Sequence, residues 1–190
     1  INKKVISMKI IKYKKKNITK NFSNLEFSVS QKGKEFQIKE HFQFNGHSVS
    51  AICYFPKEKI FYFIRQFRPN YFFNKNKAYP LEIVAGGIDK NENPKQAIVR
   101  EIKEEIGVKA LSIKKLCSLH IAPDCLDEIT HLYIACVPKI SNFNIFNKNQ
   151  KESIEIVPIQ YKKISKLLDE NKYQNVVTRL AVLEILKLKI

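Results

Sequence analysis

The sequence lacks long apolar runs and paired cysteines, and it is poor in arginine and in acidic residues. Its longest apolar stretches, such as residues 60–64, have the length of a strand, which excludes a helix that crosses a bilayer. The four cysteines form no Cys-x-x-Cys pair and no zinc-finger spacing with histidine. The basic N-terminus has no hydrophobic segment behind it and does not resemble a secretory signal. We therefore expect free thiols, a cytoplasmic protein and no membrane partner.

The charge is strongly unbalanced. Lysine and arginine number 34 against 18 acidic residues, a formal net charge of +16, and only Arg65, Arg68, Arg100 and Arg179 are arginines. Lysine, asparagine, isoleucine and phenylalanine have A/T-rich codons, so compositional drift explains this excess at least as well as selection for a polyanion. The lysines are spread along the chain rather than clustered with aromatics on one platform. Nucleic acid is therefore not an expected partner.

The apolar fraction of 44% and the length of 190 residues predict a folded domain with a small appendage. Residues 1–20 form a basic N-terminal segment, of which residues 1–7 precede the only methionine and are set aside. Residues 21–46 contain two β-prone runs around Gln31-Lys32-Gly33-Lys34 and predict a β-hairpin region. The main domain is expected over residues 47–190.

The main domain alternates strands with helices, which predicts an α/β (α+β) sandwich with a mixed sheet. Its clearest helix begins after Asn93, with Pro94 at the first helical position, and stops at Gly107. Two further helices are expected over residues 161–170 and 174–187. Residues 69–80 are expected to form a loop. Strands are expected at 49–55, 60–67, 81–85, 113–119, 129–137 and 154–159.

The helix after Asn93 carries three glutamates within one sector: Glu101, Glu104 and Glu105, at spacings i, i+3 and i+4. Like charges at these spacings repel each other, so either solvent or a cation must relieve them. A divalent hard cation such as Mg²⁺ binds through carboxylate oxygens while retaining waters that a phosphate can replace. The cluster alone leaves a metal site and a solvated face as alternatives.

The spacing around this cluster is more specific. It matches in full the pattern GX5EX7REUXEEXGU, where U is aliphatic, with the structural positions Gly86, Glu92, Arg100 and Gly107. The chain therefore resembles the Nudix hydrolase family, and the resemblance implies a Nudix-type α/β/α sandwich. Glu92 and Arg100 can pair to pin the loop to the helix.

The resemblance also implies a metal site and a reaction. Glu101 and Glu105 would be direct ligands of Mg²⁺, with Mn²⁺ as an alternative, Glu104 would share or support that role, and the carbonyl of Ala85 would be a further ligand. Such ions let water attack a pyrophosphate that is itself anionic. Glu152 is the candidate general base on a downstream loop. The position of the base in the resembled subfamily could instead align with Gln150. In that case the alternative is catalysis by metal-bound hydroxide without a general base.

Further segments resemble the subfamily that hydrolyses ADP-ribose and related nucleoside diphosphate sugars. These are Arg65-Gln66-Phe67-Arg68-Pro69 and Leu81-Glu82-Ile83-Val84-Ala85-Gly86-Gly87-Ile88-Asp89. The resemblance implies that Arg68 contacts substrate phosphates or ribose, although it could equally pair with a surface carboxylate. It also implies substrate roles for Glu82 and Glu128, the latter with a solvated loop acid as its alternative. Phe72, Phe73 and Tyr79 could stack a base or simply pack.

The resemblance predicts metal-dependent hydrolysis of ADP-ribose or a related nucleoside diphosphate sugar to a nucleoside monophosphate and a sugar phosphate. UDP-glucose and GDP-mannose are alternative substrates, because Asp124-Cys125 replaces two glycines expected after Pro123. An RNA 5′-end pyrophosphohydrolase and a non-catalytic nucleotide-sugar sensor are further alternatives, although such sensors usually lose the glutamates that are all present here. The N-terminal hairpin region suggests a homodimer, as in the resembled subfamily.

Overall fold

The computed structural model describes residues 9–73, 78–147 and 152–188. The chain divides into two compact units. The first comprises the residues up to Gly46 together with His120–Glu128, and the second comprises His47–Leu119 and Ile129–Ile190.

The first unit is a three-stranded antiparallel sheet in the order β1-β2-β3. Its central and last strands form the hairpin expected from the sequence, and the turn at Lys32 and Gly33 has positive φ at both positions. This is the conformation that two-residue hairpin turns of type I′ require. The basic N-terminal segment contributes a third strand at one edge of this sheet, where the sequence analysis assigned no element. The strands are β1 (Lys9–Asn17), β2 (Phe22–Gln31) and β3 (Lys34–Gln43).

This small sheet has one apolar and one polar face. Cross-strand pairing places Ile10 beside Val29 and Phe36, and Tyr13 beside Phe27 and Ile38, all on one face. Because successive side chains alternate, the lysines of β1 at positions 12 and 14 lie on the other face. Ile10 and Tyr13 are 59% and 65% exposed. In the described part of the chain these two side chains on β1 are therefore exposed, whereas Val29 on the central strand is 4% exposed.

The second unit contains a seven-stranded mixed sheet in the order β7-β8-β4-β5-β10-β9, with β6 paired to β4. Strands β4 and β8 are parallel, whereas β4 pairs antiparallel with β5 and β6, and β10 pairs antiparallel with β5 and β9. The strands are β4 (Ser48–Phe55), β5 (Ile60–Arg65), β6 (Val84–Gly87), β7 (Ser112–His120), β8 (Ile129–Cys136), β9 (Asn144–Asn147) and β10 (Glu152–Gln160). The helices are α1 (Pro69–Phe73), α2 (Pro94–Ile106), α3 (Tyr161–Asp169) and α4 (Val176–Leu188).

Two apolar layers cover the two faces of the large sheet. On one face, Ile98, Ile102 and Ile106 of α2 pack in a buried cluster with residues of β4 and β5. On the other face, α3 and α4 pack against Phe61 and Phe63. The central strands are buried on both sides, as their nearly continuous apolar sequence predicted. The expected α/β/α sandwich with a mixed sheet is confirmed.

Helix α2 begins and ends where its sequence predicted. The Asn93 side chain accepts hydrogen bonds from the backbone N–H groups of Lys95 and Gln96, and the Gln96 side chain accepts one from the Asn93 N–H. This reciprocal arrangement is a capping box. Gly107 closes the helix with φ 72°, a left-handed conformation that favours glycine. The glutamates of α2 are thus carried on a rigid, well-terminated helix.

Several elements differ from the sequence prediction. The strand expected at 81–85 begins at Val84, preceded by a single bridge between Ile64 and Glu82. The segment after Arg68 forms the short helix α1, and β9 adds an edge strand that the sequence did not predict.

No helix in the described ranges is long and apolar enough to cross a membrane. All four cysteines are free thiols.

Candidate active site

Arg100 of α2 joins the helix to the loop that precedes it. Its Nε and Nη2 donate to the two carboxylate oxygens of Glu92 at 3.1 and 2.9 Å, and Nη2 also donates to the Gly87 carbonyl at 2.9 Å. The hydrogen bond from Arg100 lowers the pKa of Glu92 below its usual value. Arg100 also lies 3.6 Å from an Asp89 carboxylate oxygen. The bidentate, charge-assisted contact between Arg100 and Glu92 joins α2 to the loop between Gly87 and Asn93, as the sequence pattern predicted.

The same guanidinium also reaches the glutamate cluster. Nη1 of Arg100 lies 2.6 Å from a carboxylate oxygen of Glu101 and 3.3 Å from one of Glu104. Glu101 is 3% exposed, whereas the Glu104 side chain is 32% exposed. Burial raises the pKa of Glu101, and Arg100 opposes that shift. One arginine therefore partly neutralises two of the three glutamates.

Glu105 lies one helical turn beyond Glu101 and is also 3% exposed. Its carboxylate accepts a hydrogen bond from the Ala85 N–H at 3.0 Å, and within the described residues it forms no ion pair. The pKa of Glu105 is raised to about 8, chiefly by burial and also by the nearby charges of Glu101 and Glu82, while the Ala85 N–H and the charge of Arg68 oppose the shift. The buried carboxylate is therefore held by a backbone N–H rather than by an ion pair in the described part of the chain, and the more distant charge of Arg68 offsets only part of the cost of its burial.

Gly86 allows this packing because it has no side chain. A Cβ atom at position 86 would overlap the carboxylate of Glu101. The neighbouring Gly87 has open space around the corresponding position. The first glycine of the pattern is thus required by the close approach of a buried glutamate to the backbone, whereas Gly87 has no such constraint.

A second charged pair lies beside the cluster. Nε of Arg68 lies 2.9 Å from one Glu82 carboxylate oxygen, and the Asn175 side chain donates to the other at 3.1 Å. Glu82 is 4% exposed. Sequence analysis missed Asn175. The sequence contains a signal for it, because asparagine is a preferred N-cap residue and Asn175 directly precedes α4. In the structure its side chain accepts a hydrogen bond from the Thr178 N–H, as an N-cap residue does.

For two further candidate residues the structure describes backbone contacts. Glu128 belongs to the first unit, where its carbonyl accepts a hydrogen bond from the Ile121 N–H. Glu152 begins β10 and pairs through its backbone with Asn147 of β9, so it lies on a strand rather than in the predicted loop. The Glu152 side chain and Gln150 lie outside the described residues.

The predicted aromatic contacts are only partly described. Tyr79 is 55% exposed and its ring centroid lies 5.8 Å from that of Phe67. The side chains of Phe72 and Phe73 lie outside the described residues.

The donor set of the cluster suits a hard divalent cation. The carboxylates of Glu101, Glu104 and Glu105 and the carbonyl of Ala85 are oxygen ligands of the kind that Mg²⁺ prefers. In the described arrangement no three His, Cys, Asp or Glu side chains converge as metal ligands, and Arg100 contacts two of the three glutamates. The unneutralised Glu105 carboxylate is the feature that a cation would stabilise most.

Comparison with known proteins agrees with this geometry. The model of the NUDIX domain matches residues 45–177. GDP-mannose pyrophosphatases of Escherichia coli O1:K1 / APEC and Shigella boydii serotype 4 (strain Sb227) are each 26% identical to the chain over 139 residues, covering 73% of this chain and 73% of theirs. The crystal structure of an ADP compounds hydrolase superposes with a TM-score of 0.74 at 20% identity and covers 98% of each chain, which establishes a shared fold.

We predict that Gly86→Ala destabilises the protein by about 1–3 kcal/mol, because the added methyl group must displace the buried Glu101 carboxylate. The matched control is Gly87→Ala, which should change the free energy of unfolding by less than about 0.5 kcal/mol. Urea unfolding of the two variants and the wild type measures the difference. Equal stability of the two variants would contradict the proposed steric constraint.

We also predict that Glu105 makes the metal-free protein less stable as pH rises from 4.5 to about 8. In this window the folded state retains a proton that the unfolded state has lost, so stability falls by up to about 1.4 kcal/mol per pH unit. Glu105→Gln should remove this part of the slope, and Glu58→Gln, at an exposed site, should keep it. The measurement is urea unfolding at several pH values with a chelator, and identical slopes for Glu105→Gln and wild type would refute the assignment.

Proposed function

We propose a substrate on the basis of the family, since the chain belongs to the NUDIX family of hydrolases. The proposed reaction is cleavage of the pyrophosphate bond of ADP-ribose or a related nucleoside diphosphate sugar. The products would be a nucleoside monophosphate and a sugar phosphate. The observation that carries the proposal is the pair of buried glutamates, Glu101 and Glu105, held beside β6 with Glu104. The Arg68–Glu82 pair next to them supports a substrate with phosphate and sugar groups.

Mg²⁺ is the proposed cofactor, with Mn²⁺ as an alternative, and Glu101, Glu104, Glu105 and the Ala85 carbonyl are its proposed ligands. A bound divalent ion supplies positive charge against the phosphate oxygens and makes water a better nucleophile. The burial of Glu105 without an ion pair to any described residue supports this assignment, because an ion would offset the cost of its charge. The Ala85 N–H orients the Glu105 carboxylate toward β6.

Other residues of the chain would position the substrate. Arg68 is held by Glu82, which is itself held by Asn175, so its guanidinium is oriented before any substrate arrives. We propose that its remaining N–H groups contact substrate phosphate or ribose oxygens. Glu152 is proposed as the general base and Glu128 as a residue that contacts the terminal ribose or the metal. A metal-activated water without a base remains the alternative to Glu152.

The identity of the sugar is the second question. The named relatives are GDP-mannose pyrophosphatases and the similar structure is an ADP compounds hydrolase. These names support a nucleoside diphosphate sugar in general, and GDP-mannose is therefore the second candidate substrate beside ADP-ribose.

Four free cysteines fit the proposed cytoplasmic location.

A second copy of the chain is the proposed partner. The apolar face of the small sheet presents Ile10 and Tyr13 on β1 and Phe36 on β3, with exposures of 59%, 65% and 46%. Contiguous exposed apolar side chains of this kind favour burial in an interface. The opposite face carries lysines, and burying it in an interface would not remove apolar surface from water. We propose that two copies associate through the apolar face.

We predict Mg²⁺-dependent cleavage of at least one nucleotide sugar. The panel is ADP-ribose, GDP-mannose, UDP-glucose, a dinucleoside polyphosphate and capped RNA. Added alkaline phosphatase releases phosphate only from the monophosphate products, and chromatography identifies the nucleotide. ADP-ribose or GDP-mannose should be the best substrate. Absence of cleavage of every nucleotide sugar, with or without Mg²⁺, would reject the proposal.

We predict that Glu105→Gln lowers kcat by about a hundredfold or more, because it removes a proposed ligand of the ion that would supply positive charge to the reacting phosphate. The substitution changes almost no volume, so the folded state should be retained or slightly stabilised near neutral pH. Glu58→Gln removes the same charge from an exposed site and should leave kcat unchanged. Full activity of Glu105→Gln would contradict its role as a metal ligand.

We predict a homodimer that depends on the apolar face. The double variant Ile10→Ser/Tyr13→Ser should shift the protein toward monomer, because it removes two exposed apolar side chains from that face. The matched control, Lys12→Ser/Lys14→Ser, changes the same strand on its opposite face and should remain dimeric. Light scattering coupled to gel filtration gives the masses. A wild-type monomer at all concentrations would exclude the dimer.

A further inference from the structure

A cavity of about 750 Å³ lies on the face of the large sheet that α3 and α4 cover. This volume is within the range of small-molecule sites. Its walls come from α3, from β10, from the segment before Glu82 and from the connection between α3 and α4. The lining residues are Arg65, Tyr79, Pro80, Leu81, residues 157–160, Lys163, Leu167, residues 170–172 and Gln174.

The cavity is separate from the glutamate cluster. Arg65 follows Phe61 and Phe63 at alternate positions of β5 and so projects from the face that carries α3 and α4. Helix α2, which carries the three glutamates, packs on the other face. No residue of α2 lines the cavity. The two sites are therefore on opposite sides of one sheet.

Arg65 has an unsatisfied donor in this cavity. Its Nε is buried and has no hydrogen-bond partner among the described residues. Glu155 lies opposite Arg65 in the strand register, yet in the described part of the chain Arg65 forms no ion pair with it. A buried guanidinium N–H without an acceptor costs free energy unless a ligand supplies one.

The other charged side chains favour an anion. Lys163 and Lys172 add two cations to the lining, and Glu170 is its single carboxylate. That carboxylate faces a cation already, since Lys166 Nζ lies 3.8 Å from it. Leu81, Val157, Ile159 and Leu167 supply an apolar surface beside the cations. A ligand that matches both features carries a dianionic group on an apolar body.

We propose that this cavity is a second ligand site, which binds a small organic phosphate monoester with an aromatic or aliphatic group. The phosphate accepts hydrogen bonds from the guanidinium of Arg65, with Lys163 and Lys172 around it. The apolar part packs on Leu81 and Leu167. This proposal does not rest on the proposed hydrolase activity, because binding in the cavity requires neither the metal nor the glutamates.

The test is isothermal titration calorimetry of the full chain with a chelator present, so that no metal occupies the glutamate cluster. Phenyl phosphate is the probe, and inorganic phosphate and benzyl alcohol represent its two parts. Phenyl phosphate should bind more tightly than either part. No binding of phenyl phosphate at millimolar concentrations, or equal binding of benzyl alcohol, would overturn the proposal.

Variants locate the binding. Arg65→Gln should weaken phenyl phosphate binding by about tenfold, the effect expected when a charge-assisted hydrogen bond is lost. Because Arg65 is partly buried, the exposed pair Lys163→Ala/Lys172→Ala serves as a second test and should also weaken it. The matched control, Lys162→Ala/Lys187→Ala, removes the same charge outside the cavity and should bind like wild type. Wild-type affinity in the Lys163/Lys172 variant, or equal weakening in the control, would refute the location.

Discussion

The guanidinium of Arg100 is the contact on which the candidate active site depends. It binds both carboxylate oxygens of Glu92, the carbonyl of Gly87 and one oxygen each of Glu101 and Glu104. These partners belong to the end of β6, the following loop and helix α2. A lysine could supply the charge but not this planar set of donors, so the position needs arginine specifically. In a chain with only four arginines, one is committed to this contact and a second, Arg68, holds Glu82.

The excess of lysine has little part in this arrangement. Within the described residues no lysine forms an ion pair with Glu82, Glu101 or Glu105, although the chain carries a net charge of +16. The site is thus locally acidic inside a basic protein. Desolvation makes that acidity costly, and the cost falls most heavily on Glu105, whose pKa rises to about 8. The protein tolerates the cost because the sandwich around α2 is well packed and the Ala85 N–H gives the carboxylate one good donor.

Much of this could be predicted from the sequence because the relevant information is local. Three features depend only on residues within or directly beside α2. They are the capping box at Asn93, the helix end at Gly107 and the pairing of Glu92 with Arg100. Contacts between distant segments were not predictable in this way. Asn175, which directly precedes the last helix, reaches Glu82, and β9 is a four-residue strand that pairs with β10. The strand character of β1 was hidden because all of its residues are exposed and carry no buried stripe.

The strand order of the large sheet has a consequence for how the chain folds. Strand β4 pairs with β8, joining Ser48 to Thr130, and β5 pairs with β10, joining Ile60 to Gln160. Neither central strand can complete its hydrogen-bonded ladder until most of the chain has been synthesised. Pairings of such high contact order are slow, because the entropy of closing long loops is lost before the contacts form. Helix α2 and its capping box, by contrast, need only their own residues. On the ribosome all residues of α2 are therefore synthesised before β10, the strand that completes the central part of the sheet, and until then Glu101 and Glu105 lack the sheet that buries them.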